Sequence, residues 1–244
     1  MQRSNRTIIV RRGSRVLLAP LLVAVLGCIA LMFRLGLIPP ALNPLPAIDL
    51  DERNAWFVDW RLAALKYDRD LCRRVLVSPR IDAQPIVDSP LHAGCGWTNA
   101  VRMMRAGGVH AAFDKITCES AAALTLWLEH DVQQLAQEIF GLSVASVRSL
   151  GTYSCRNIVG DPLAKTWRSE HATANAVDIG GFTFSNGRQV TVRAQWHGDS
   201  AEALFLRTAH DRACRYFHVV LGPDYNQAHY DHFHLDRGPF WRCK

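Results

Sequence analysis

A chain of 244 residues suffices for one mid-sized domain plus a short extra segment. Of its 28 Lys and Arg, six (Arg3, Arg6, Arg11, Arg12, Arg15 and Arg34) lie before Ile38, where there is no acid; that leaves 22 against 22 Asp and Glu. The remainder is formally neutral and lacks the clustered positive charge of a phosphate-reading surface, which argues against nucleic acid as a partner.

Val16 to Phe33 is an apolar run of 18 residues without a charge. At about 1.5 Å per residue it nearly crosses a hydrocarbon core of about 30 Å, and Leu35–Ile38 extends it. The arginines on its N-terminal side put residues 1–15 in the cytoplasm as a basic tail. Residues 16–38 then read as a single-pass inner-membrane anchor, with everything after it periplasmic. A cleaved signal peptide also carries an apolar stretch, but no small-x-small site follows this one. Gly27-Cys28 resembles a lipoprotein site yet sits inside the run. Pro39 to Pro46 (PPALNPLP) reads as a stiff spacer, giving a linker over 39–48 and a domain over 49–244.

Outside the apolar run the cysteines are Cys72, Cys95, Cys118, Cys155, Cys214 and Cys243. An even number in an exported domain predicts disulfides, and the absence of CxxC spacing argues against a zinc–thiolate site. The spacing does not choose a connectivity; pairing in chain order (72–95, 118–155, 214–243) is the expectation.

In chain order, Asp51 to Val75 reads as one or two short helices with Trp56, Trp60, Leu62 and Leu65 in the core, and Pro79 to Val101 as turn-rich. Leu124, Leu128, Val132, Leu135 and Ile139 recur at helical spacing, predicting a helix over Glu119–Phe140 stopped by Gly141. His130, between Glu129 and Asp131, falls on its polar side and reads as solvated. Val144–Leu150 suggests a strand. Ala176–Phe184 and Gln189–Trp196 flank Asn186-Gly187, a hairpin signal. Asp199 or Ser200 caps a helix to about Tyr216, and Phe217–Leu221 and Phe233–Leu235 read as short strands. The fold class expected is α+β, a small antiparallel sheet with flanking helices, stapled by disulfides.

Two segments carry chemistry: Ser169-Glu170-His171-Ala172-Thr173-Ala174-Asn175-Ala176-Val177-Asp178 and His229-Tyr230-Asp231-His232-Phe233-His234. On a strand His232 and His234 share a face, so one imidazole can sit on a metal with the other beside it. His171 and Asp178 would lie about 10 Å apart along a helix, so they meet only if a loop leads into a strand. Two imidazoles and one carboxylate make a ligand set of catalytic zinc, with a fourth position open. HExxH is absent.

The first segment resembles the S-x-H-x-x-G-x-A-x-D signature of the zinc peptidases that include D-alanyl-D-alanine dipeptidases and carboxypeptidases. The second resembles the H-x-x-H-x-H segment of penicillin-insensitive murein endopeptidase. Together with Tyr153-Ser154-Cys155-Arg156 and Ala176–Phe182, they are similar to the bacterial extensin-like C-terminal domain family, over roughly residue 49 to the C-terminus. The resemblance implies Zn2+ held by His171, Asp178 and His234, with His229 and His232 as catalytic or supporting groups. It implies a hydrolase for peptide bonds, and the compartment suggests stem peptides or cross-links of peptidoglycan as substrate. Two departures stand out: Ala174 replaces the usual glycine, and the E-x-x-H segment that supplies a base elsewhere is missing, which makes His229 the candidate base. Arg156 reads either as an oxyanion partner, its loop fixed by a Cys118–Cys155 bridge, or as half of an ordinary ion pair. Ser169 reads either as a support for a ligand or as a turn former. Glu170 and Asp231 read as solvated or structural, and Asp236 as a weak second-layer candidate. The rivals are a non-catalytic zinc-containing wall- or peptide-binding module and, less well matched by the neutral domain, a phosphoesterase. Bond specificity and oligomeric state have no signature in the sequence.

Overall fold

The computed structural model describes residues 14–39, 42–53 and 55–244, with side chains from Ala19 onward. Helix α1 spans Ser14–Arg34. The basic tail up to residue 13 lies outside the described residues. Among the described residues no helix is long and apolar enough to cross a membrane.

The segment after α1 lies against the domain. Arg61 donates to the Ala47 carbonyl (2.6 Å) and the Pro46 carbonyl (3.1 Å), and Ile48 and Leu50 are buried in the core. Helices α2 (Val58–Ala63) and α3 (Arg69–Val75) follow, the second capped by the Asp68 carboxylate. Leu62 and Leu65 are core residues as expected, whereas Trp56 is exposed and Trp60 half-buried.

The sheet is larger than expected and mixed. Nine strands run in the order β1–β4–β5–β6–β7–β10–β9–β11, with β8 also on β7; β2 (Ser89–His92) and β3 (Cys95–Trp97) form a separate pair. The part that the sequence reading lacked is β1 (Asp82–Pro85), β4 (Ala100–Ala106) and β5 (Val109–Thr117). Gly107 and Gly108, both at positive φ (56° and 79°), close the β4–β5 hairpin in a two-residue turn, a conformation that glycine takes without strain. β6 (Val144–Gly151) pairs parallel with β5, because a long helical crossover returns the chain to the same end. That crossover is α4 (Cys118–Trp127), a π-helical turn over Leu128–Val132, and α5 (Gln133–Phe140), stopped at Gly141 (φ 64°) as expected. His130 lies in the π turn, buried rather than solvated, with Nε2 bonded to the Leu50 carbonyl (2.8 Å).

The central strand β7 (Ala176–Phe184) runs antiparallel to β6, and its other edge is shared. Gly181–Thr183 pair with β8 (Gln189–Thr191), while Ala176–Ile179 pair with β10 (Phe233–Asp236). At the change of partner a Cβ on Gly181 would run into the Val190 carbonyl, so this glycine permits the close approach. Beyond the hairpin come a short helix α6 (Val192–Gln195) and α7 (Ala201–Ala213), capped by Ser200. β9 (Val219–Leu221) and β11 (Arg242–Cys243), parallel to each other, complete the edge. The core fills the space between sheet and helices: Trp127, Phe182, Phe184 and Phe205 pack ring on ring, and Trp127 donates to the Ala209 carbonyl of α7 (2.9 Å).

The disulfides are Cys72–Cys118, Cys95–Cys155 and Cys214–Cys243. Only the last follows the expected order. The first two exchange partners because α3 packs on α4 and brings Cys72 to Cys118, while β3 lies beside the loop after β6 that carries Cys155.

Candidate metal centre

Each of the three expected ligands comes from a different backbone setting. His171 sits in a 3-10 turn over Glu170–Thr173. Ser169 caps that turn, its Oγ accepting from the His171 N–H (3.3 Å), and the Ser154 N–H donates to the His171 carbonyl (3.1 Å). The Cys95–Cys155 bridge fixes this neighbouring segment, in place of the expected Cys118–Cys155. Ser169 is therefore the turn former, and through the turn it positions a ligand. Asp178 and His234 are directly opposite one another on β7 and β10, the pairing in which side chains on one face touch.

The donor atoms converge. His171 Nε2 lies 3.1 Å from Asp178 Oδ1 and 3.0 Å from His234 Nδ1, and His234 Nδ1 lies 3.0 Å from Asp178 Oδ1. These are the residues among those described whose spacing suits a metal ion. Tetrahedral zinc with bonds of about 2.0–2.1 Å spaces its ligand atoms about 3.3 Å apart, so the near-equilateral triangle matches one face of that tetrahedron. The tautomer agrees. Asp236, two residues on and on the same face of β10, accepts from His234 Nε2–H (3.0 Å), so a neutral His234 is held in the tautomer whose Nδ1 lone pair is aimed into the cluster.

The electrostatics call for positive charge at this point. Burial opposes ionisation of Asp178, but hydrogen bonds from His171 and His234 hold its carboxyl well below the usual range. Burial likewise disfavours a charged His234, yet Asp178 and Asp236 raise it to about 10. Two carboxylates thus hold a cation between them, a proton or a metal ion.

Beside this centre lies a cleft of about 380 Å3 whose lining includes His229, Arg156, Glu170, Asp236 and, of the three donors, His234. His229 is buried at the end of a 3-10 turn over Gln227–His229, with Nδ1 2.7 Å from Asn226 Oδ1. Asn226 spends its amide on the Gly160 carbonyl, so its oxygen accepts from His229 Nδ1–H and Nε2 is left as a free lone pair. Burial, together with the electrostatics of the neighbouring His234, His232 and Arg156, pushes His229 down to about 4, against the pull of Asp178; at neutral pH it is uncharged. His232 Nδ1 meets Asp231 (2.9 Å) and its Nε2 lies 3.6 Å from Asp178 Oδ1. Arg156 donates to the Asn157 carbonyl and, among the described residues, has no acidic partner, so the ion-pair reading of it fails.

Residues 70–244 match the family described as Extensin-like protein C-terminus. The chain belongs to this family. No curated protein and no solved structure matches it. The matched span includes all three candidate ligands, both flanking histidines and all six disulfide cysteines, so the cluster lies wholly inside the family domain.

Three features of the centre go beyond the sequence reading. Ala174 adopts φ 55°, buried, with its carbonyl accepting from Thr117 N–H (2.9 Å). The positive φ that glycine would take freely is thus imposed on alanine, at a cost of about 1–2 kcal/mol. Asp236, a weak candidate in the sequence, bonds His234 Nε2 from the same face of β10. Glu170 is a partly buried cleft residue: burial and repulsion by Asp236 push its carboxyl up, against a hydrogen bond from Asn175.

Proposed function

We propose that this protein is a zinc-dependent hydrolase of peptide bonds, related to the D-alanyl-D-alanine peptidase and murein endopeptidase superfamily and acting on peptidoglycan stem peptides or cross-links. The observation that carries the proposal is the triangle of His171, Asp178 and His234, with His234 on the wall of a cleft that an uncharged, oriented histidine, His229, also lines. A structural zinc site is closed by four protein ligands, whereas three candidate donors meet here among the described residues. When bound, zinc supplies Lewis acidity, polarising a carbonyl and making water a stronger acid.

The protein's own groups divide the remaining work. His171 and Asp178 are set by the capped turn and by the β7–β10 register, and Asp236 holds His234 in the ligating tautomer. His229 Nε2 takes a proton from the attacking water as its oxygen bonds to the carbonyl carbon. As the C–N bond breaks, that proton goes to the leaving nitrogen, from His229 or through His232. Arg156, on the cleft wall and without an acidic partner among the described residues, faces negative charge developing on the carbonyl oxygen.

The anchor belongs to the same proposal. The apolar α1 tethers the domain to the inner membrane with its cleft on the periplasmic side, where three disulfides are stable.

The test is digestion of purified muropeptides by the full chain, with and without chelator and after zinc is restored. Chelation is expected to stop cleavage and zinc to restart it. His229→Ala is expected to keep zinc and lose about 10²–10⁴-fold in turnover. A binding module would show neither effect, and unchanged products under chelation would overturn the hydrolase reading.

A further inference from the structure

We infer that the end of the domain where α1 joins it is a lipid-facing surface, seated at the headgroup–acyl boundary of a phospholipid bilayer, with the rim of the metal cleft beside it. The inference rests on the anchor reading and adds an orientation to it.

α1 does not leave the domain through a free tether. A Cβ on Gly36 (φ 68°) would run into the Ala63 carbonyl, so the chain turns directly against α2 at a position that only glycine fits. Phe33 stacks on Trp60 with centroids 5.6 Å apart, and Trp60 on Phe57 at 5.5 Å. On the other side Arg34 donates to the Pro239 carbonyl (3.0 Å) and lies over the Trp241 ring at 5.0 Å. Trp241 in turn stacks on His218, whose Nε2 reaches Asp59 of α2 (2.5 Å). The end of the apolar helix is thereby fixed between α2 and the 239–241 loop.

The residues around that junction have no cover. Trp56 is 79% exposed, Phe57 56%, Trp241 54%, Phe240 53% and Leu37 51%. A contiguous exposed apolar patch of this kind marks a binding surface, and large rings with one polar edge are the residues that favour the membrane interface. The occupant follows from continuity: the patch extends the uncovered surface of α1, where Leu22, Leu26 and Ile29 are also exposed. A helix in hydrocarbon brings the surface at its end to headgroup depth. Arg34 and Lys66, at the same junction, suit lipid phosphates. Phe240 and Trp241 also line the metal cleft, so its rim faces the membrane.

The test uses the full chain reconstituted in phosphatidylcholine–phosphatidylglycerol vesicles, read by vesicle flotation and by tryptophan quenching from lipids brominated near the headgroup. The chain is expected to float and to be quenched. Trp56→Phe combined with Trp241→Phe is expected to float equally and to lose most of the quenching, whereas Trp196→Phe, a buried position, keeps it. A chain that fails to float overturns the anchor reading. A chain that floats unquenched overturns the lipid-facing surface alone. Quenching that is absent while cross-linking joins two copies through the 239–241 loop assigns the patch to a second copy and also overturns it.

Discussion

His234 is engaged at both ring nitrogens, by Asp236 at Nε2 and by the ligand cluster at Nδ1, so its tautomer depends on one carboxylate. Asp236→Ala is expected to weaken zinc affinity about 10–100-fold without removing a ligand, measured by competition with a chromophoric chelator. Asn226 plays the matching part for His229. Asn226→Ala frees the imidazole to adopt either tautomer; turnover is expected to fall while zinc content and KM stay near the parent's. A drop in zinc content instead would make Asn226 a support for the metal rather than for the base. At Asp59, burial raises the carboxyl, but His218 and Arg237 outweigh it and lower it to about 2. A depressed folded-state value gives stability that is present above the ordinary value near 3.8 and lost as pH falls toward 2. Urea melts of parent and Asp59→Asn are expected to differ by on the order of 1–2 kcal/mol at pH 6 and to converge toward pH 2.

At the scale of elements, the site depends on three junctions: the capped turn at 170–173, the β7–β10 register, and the Cys95–Cys155 bridge beside the turn. Replacing both of these cysteines with serine is expected to cost about 2–4 kcal/mol in chemical melts and to weaken zinc binding, because the Ser154–His171 contact loses its fixed partner. Unchanged zinc affinity would show that the turn holds itself. The elements with a strong local signature were legible in the sequence: the Gly141 stop, the Ser200 cap, the Asn186-Gly187 hairpin and β6. The meeting of His171, Asp178 and His234 is what the family resemblance implied; strand periodicity alone left His232 and His234 as alternatives on one face and excluded a helix between His171 and Asp178. The β4–β5 hairpin was missed although Gly107-Gly108 marks it, since Ala100, Ala106, Ala111 and Ala112 dilute the usual β-branched signal. The disulfide exchange and the burial of His130 are tertiary facts. They follow from α3 packing on α4 and from Leu50 lying across the π turn, and neither is written in local spacing.

For the whole molecule, a mixed sheet backed by the α4–α5 crossover holds β7 and β10 as interior neighbours that place Asp178 and His234 opposite one another. The 3-10 turns carrying His171 and His229 are each pinned by a capping side chain, Ser169 and Asn226. Every functional statement rests on one divalent ion held at three side chains. Metal analysis of the purified full chain, paired with His171→Ala, Asp178→Ala and His234→Ala, tests that most directly. About one zinc per chain is expected in the parent, with loss in each variant and a lower melting temperature after chelation. A parent that takes up no zinc, or variants that keep it, would contradict the account.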